Sequence, residues 1–170
     1  MAKRRLHEYG LRVLDYEFIQ GREILEGLKL NKARRYPFGG VVEGRIYTNQ
    51  GILYFKTELG FECDMRSGPK LVDWYVPNLG SIEERIAWLT HDLNGYGLDL
   101  CFEDANLLLF AILRDLAGYH YPKAKLVQLA VSISRSWYGE PKPGEWCAKN
   151  IWKVTTKWES KKNGKYLFNS

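Results

Sequence analysis

Two periods of hydrophobic and polar residues run along this chain, and they divide it into strand-forming and helix-forming parts. Between residues 41 and 59, Val42, Gly44 and Ile46 alternate with Glu43, Arg45 and Tyr47. Asn49-Gln50-Gly51 then supplies a turn, after which Ile52, Tyr54 and Lys56 alternate with Leu53, Phe55 and Thr57. A period of two on both sides of an Asn/Gly turn predicts a β-hairpin. Its second strand is largely apolar on both faces, which predicts an interior place in the sheet.

From residue 81 the period changes. Ser81 is a good helix N-cap, and Glu84 three residues later completes a capping box. Ile82, Ile86, Leu89 and Leu93 follow at helical spacing and form one apolar face. Trp88 and His91 fall on the other side, so His91 is expected to face a second packed element. Gly95 and Gly97 end this helix. Asp99 is placed to cap the next, which runs through Leu107, Leu108, Leu109, Phe110, Ile112, Leu113 and Leu116 to Gly118. That run is so apolar that it must be nearly surrounded. Asp104 sits in its first turn, where a negative charge suits the helix dipole. A third helix starts near Pro122 and carries Leu126, Leu129, Ala130, Ile133 and Trp137 to Gly139.

The two ends are less regular. Residues 1–35 are apolar at Leu6, Leu11, Val13, Leu14, Phe18, Ile19, Ile24, Leu25 and Leu28 without a clean period, and Gly10, Gly21 and Gly27 interrupt any long helix. Short strands or one short helix are expected there. Residues 31–40 form a loop with a small basic-aromatic cluster, Arg34, Arg35 and Tyr36, able to touch phosphate. Gly60, Gly68 and Pro69 mark an irregular segment in which Asp64 and Ser67 suit turn formation. After a Pro/Gly loop at 140–149, Trp152, Val154, Thr156 and Trp158 alternate with Lys153, Thr155 and Lys157, and Asn163-Gly164 supplies a hairpin turn. The fold class expected is α+β: an N-terminal β-hairpin or small antiparallel sheet packed on a three-helix core, with a C-terminal β-hairpin. Residues 1–40 read as an N-terminal extension, 41–139 as the core domain and 140–170 as a C-terminal loop and hairpin.

The totals add a charge pattern. The 170 residues are 45% hydrophobic, enough for one core. Net charge is +5, but residues 1–35 hold nine Lys/Arg against five Asp/Glu, 142–170 seven against two, and 36–141 nine against thirteen. Basic ends on an acidic middle suit solvated termini, self-docking or a polyanionic partner such as nucleic acid; Trp152 and Trp158 would be contact residues of the basic tail. No apolar run spans a bilayer and no apolar stretch follows the basic start, so the expectation is a cytosolic setting without a secretory signal. Cys63, Cys101 and Cys147 have no metal-ligand spacing and read as reduced thiols.

The candidate chemistry lies at the turn between the first two helices. If those helices pack antiparallel, His91, Asp92 and Asp104 converge. A histidine held by one carboxylate beside another suits base catalysis or metal binding.

The order G-F-x-x-D-x-x-S-x-P, a helix ending in H-D and a helix opening with E-D resembles an uncharacterised family of small phage and prophage proteins. The matching residues are Gly60, Phe61, Asp64, Ser67, Pro69, His91, Asp92 and Asp104, within residues 40–139. Cys63 stands where that family usually has Thr, and Gly95, followed by Tyr96, where it usually has Tyr. The resemblance implies a phage-encoded accessory or virion-associated protein that acts by binding other phage or host proteins. The His-Asp helix facing an Asp-bearing helix is also similar to the core of the secreted calcium-dependent phospholipases. That similarity implies a hydrolase of ester, lipid or cell-envelope substrates, with His91 as base, Asp104 orienting it and Asp92 holding calcium. The calcium loop and disulfides of those enzymes are missing here, although Gly60–Asp64 is a candidate substitute for the loop. Oxygen ligands such as Asp92 and Asp64 favour Ca2+ or Mg2+ over zinc.

Overall fold

The computed structural model describes residues 4–29, 36–63, 80–95, 99–138, 153–162 and 165–166. The elements are β1 (Val13–Gln20), α1 (Arg22–Glu26), β2 (Tyr36–Pro37), β3 (Val42–Thr48), β4 (Gly51–Thr57), β5 (Glu62–Cys63), α2 (Ile82–Gly95), α3 (Phe102–Asp115), α4 (Tyr121–Tyr138), β6 (Val154–Lys162) and β7 (Lys165–Tyr166). The fold is α+β, as the alternation of periods predicts. One sheet runs in the order β1-β3-β4-β6-β7, and β2 pairs with β5 in a two-stranded ribbon.

The predicted hairpin is β3–β4, in register from Val42↔Thr57 to Tyr47↔Ile52. Strand β4 is interior, because β6 pairs with its other edge from Thr57↔Val154 to Gly51↔Ser160. Burial alternates along β3, with Val42, Gly44, Ile46 and Thr48 buried and Glu43, Arg45 and Tyr47 partly exposed. The inner face therefore belongs to the core, and the outer face carries ion pairs such as Arg45–Glu17 at 2.6 Å. Gly51 sits under the Trp158 indole; a Cβ there would lie 2.5 Å from the ring and 2.3 Å from the Glu159 carbonyl. Any side chain at 51 would push β6 away, so the glycine sets the seat of Trp158.

Helix α2 begins as the capping box predicts, with the Glu84 N–H donating to Ser81 Oγ at 3.2 Å. Asp99 does not cap α3. The N-cap is Cys101, without a side-chain cap, and the Asp99 carboxylate instead accepts from the Trp158 backbone N–H and from Arg5 at 3.2 Å. Helix α3 is central: all ten residues from Asp104 to Leu113 are buried. It packs against α2 on one side and α4 on the other.

Residues 6–20 and 154–160 share the core of the helices and the central sheet. Strand β1 pairs antiparallel with β3, and Leu6, Leu11, Val13, Val154 and Trp158 belong to the same apolar cluster as the helices. Residues 4–13 form a strap held by side chains from elsewhere. Asp104 accepts from the Arg5 N–H at 2.6 Å and the Leu6 N–H at 3.3 Å. Gln50 takes the His7 N–H and donates to the His7 carbonyl, at 2.8 and 2.7 Å. Asn49 binds Arg12 and Gly10 in the same way, and Asp115 accepts from the Val13 N–H at 2.8 Å.

Helix α4 turns its larger apolar residues outward. Leu126, Leu129 and Ile133, the residues that set its period, are 49%, 49% and 44% exposed. The residues turned to the core are the smaller Ala124, Val127 and Val131. No helix among the described residues is long and apolar enough to cross a membrane.

Candidate functional site

His91 lies one turn before the end of α2, where the α2–α3 packing places it over the first turns of α3. Its ring is buried, edge-on to Trp88 and Phe102 at centroid distances of 6.3 and 5.8 Å. The expected partner is Asp104; the observed one is Asn106, whose Oδ1 lies 2.8 Å from His91 Nε2. Asn106 Nδ2 donates to Ser132 Oγ on α4 at 3.1 Å, and Ser132 Oγ donates to the Gln128 carbonyl at 2.9 Å. One polar seam thus joins all three helices.

The donor order along this seam sets the direction of the His91–Asn106 bond. Ser132 gives its proton to a carbonyl, so it can only accept from Asn106. The Asn106 amide therefore turns its oxygen to His91, and Nε2–H is the donor of that bond. Nδ1 is buried and has no hydrogen-bond partner among the described residues. Asp92 Oδ1 stands 3.5 Å from it, an ion pair only for a protonated ring.

Asp104 is fully buried and belongs to another cluster. Its carboxylate holds the backbone of the strap, with the Arg4 guanidinium 3.8 Å away. The helix geometry explains the separation. At about 100° per residue, positions 104 and 106 point about 200° apart around α3, so one side chain faces α2 and the other faces the strap. The paired carboxylate–imidazole unit expected from the sequence is not the unit formed.

The other residues singled out in the sequence divide as follows. Asp64, Arg34, Arg35 and Trp152 lie outside the described residues. Tyr36 is buried, and its strand pairs with Cys63. Trp158 is 1% exposed, its indole over Gly51, so neither aromatic offers a contact surface. Cys63 is buried and Cys101 partly so, and burial pushes the Cys101 thiol up from its ordinary value. Among the described residues no three His, Cys, Asp or Glu side chains converge to hold a metal ion. Among the described residues the donors here are one carboxylate beside one imidazole, too small a set for calcium, which takes about six to eight oxygens. A concave surface lies at the β1–α1 corner, lined by Asp15, Tyr16, Glu17, Phe18, Arg22 and Glu23. None of His91, Asp92 or Asp104 lines it.

Sequence reasoning missed Asn106, Ser132 and Gln50. Asn106 carried a signal: an amide inside a ten-residue buried run needs a polar partner. Ser132 and Gln50 carried none, because their roles depend on which elements become neighbours. Comparison with protein-family models, with curated proteins and with solved structures finds no match.

Proposed function

We propose that this protein works by binding another macromolecule, as a phage-encoded accessory or virion-associated protein, and that the His91 seam serves packing. The observation that carries this reading is the inverted apolarity of α4. A helix that only completes a core turns its larger apolar residues inward. Here Leu126, Leu129 and Ile133 face solvent while Ala124, Val127 and Val131 face α3. A contiguous exposed aliphatic ridge on a folded domain marks an interaction surface more often than a defect.

The hydrolase alternative needs a ring that reaches water and substrate. His91 is 4% exposed and its Nε2 is held by Asn106, which favours the binding reading. Two measurements separate them. A photo-crosslinking residue at position 129, in cells that naturally produce the protein, is expected to give adducts of defined mass, whereas one at exposed position 157 gives none. Ester and phospholipid hydrolysis, with and without calcium, should be the same for the parent and His91→Ala. Calcium-dependent turnover lost in His91→Ala, or equal adducts at both positions, would overturn the proposal.

A further inference from the structure

We infer that the α4 ridge receives an acidic amphipathic helix of a partner protein; this rests on α4 being the docking face. The spacing argues for a helix as occupant. Pro122, Leu126, Leu129 and Ile133 follow one another at intervals of four, three and four residues. That is the a/d spacing of a helix–helix seam. At about 100° per residue the four positions span only about 60° of the helix circumference. A helix lying in a lipid surface shows a broader apolar face, and a narrow seam fits one facing helix.

The charges argue for the sign of the partner. Lys123 and Lys125 lie on opposite flanks of the seam, at the positions that set partner choice in paired helices. Residues 121–138 hold a third cation, Arg135, and no Asp or Glu. A second copy of α4 would set cations against cations with no acid on either helix, which disfavours self-pairing. Lys125 Nζ lies 2.8 Å from Glu8 Oε1, and Lys123 Nζ stands 3.9 Å from the Tyr119 ring centroid. The Lys125–Glu8 pair lies at the surface, where such pairs are weak and exchange readily for a partner's carboxylates, while Lys123 also feels the Glu84 carboxylate. Glutamates flanking an apolar seam on the incoming helix would meet both lysines.

The test uses the full chain and a fluorescent three-heptad peptide with Leu and Ile at the seam and Glu on the flanks. Anisotropy should show saturable binding that weakens with salt and falls at least tenfold in Leu126→Ser/Leu129→Ser. Both leucines are about half exposed, so that variant should keep the parent's circular dichroism and melting temperature. A peptide with Lys on the flanks should not bind. The double variant Lys123→Glu/Lys125→Glu should exchange the two preferences. If the Lys peptide binds the parent equally well, the charge argument is wrong. If anionic phosphatidylglycerol vesicles bind in a Leu126- and Leu129-dependent way and the Glu peptide does not, the occupant is lipid. If sedimentation shows a dimer that the serine variant loses, the occupant is a second copy. Each of these overturns the acidic helix while keeping α4 as a docking face. Absence of all binding and self-association overturns the docking face as well.

Discussion

Replacing Asp104 with Ala would show what this buried carboxylate does. It accepts from the Arg5 N–H at 2.6 Å and the Leu6 N–H at 3.3 Å. The shorter bond is charge-assisted, worth about 1.5–3 kcal/mol, and the longer about 0.5–1 kcal/mol. Their joint loss comes to about 2–4 kcal/mol, or roughly 30- to 700-fold in a local opening equilibrium. The loss should fall on the strap first. Gln50, Asn49 and Asp115 still hold its later residues, and Leu6 and Leu11 are buried, each side chain worth about 1.5–3 kcal/mol. Amide hydrogen exchange in Asp104→Ala should therefore accelerate by that factor at Arg5 and Leu6, and much less in α3 and β4. Asp104→Asn should fall between, because its amide oxygen can accept one bond while its NH2 opposes the other donor. Arg5 and Leu6 protection unchanged within about threefold, on a scale where 1.4 kcal/mol is tenfold, would refute the latch. So would a uniform rise across the chain with no excess at those two amides.

The polar seam makes a separate prediction. Asn106→Ala leaves His91 Nε2 buried without its partner and should cost about 1–3 kcal/mol in urea unfolding. Asn106→Leu combined with His91→Leu should recover part of that loss, since removing both partners leaves no orphan; full additivity in the double-mutant cycle would count against the contact. Asp115 predicts an acid limb. Burial raises its carboxyl, but the Arg114 guanidinium, the Val13 N–H and Arg12 outweigh burial and hold it below its ordinary value. A carboxylate lowered in the folded state stabilises above its unfolded pKa, and that stabilisation fades as pH falls through the lower folded value. Asp115→Asn should flatten the stability–pH curve in that acid window and leave its slope near neutrality unchanged; an unchanged acid limb would refute the assignment.

Periodic stretches revealed their structure and isolated residues did not. The β3–β4 hairpin, the Ser81–Glu84 cap and the buried core of α3 follow from spacing within a few turns of chain. Asp99 shows where such reasoning stops. Nothing local distinguishes a helix cap from a carboxylate that accepts from Trp158, 59 residues away. The same holds for Asp104, whose partners are 98 and 99 residues distant. For α4 the period itself was correct, yet it identified the outward face, because a helical period reports an apolar stripe and not what covers it. His91 was rightly placed against a second packed element. Its partner was misassigned because positions 104 and 106 differ by about half a turn around α3, which decides which of them can meet α2.

The central claim is that the His-Asp signature is sealed inside the helix packing and is not open to substrate. The chain supplies its own controls, since His7 and His120 are exposed and His91 is buried. Carbethoxylation at near-neutral pH, followed residue by residue by peptide mass mapping, tests the claim directly. His7 and His120, which are exposed, should be modified readily, while His91 stays unmodified until the chain unfolds in denaturant. Modification of native His91 at the rate of the other two would contradict the account and return catalysis to first place.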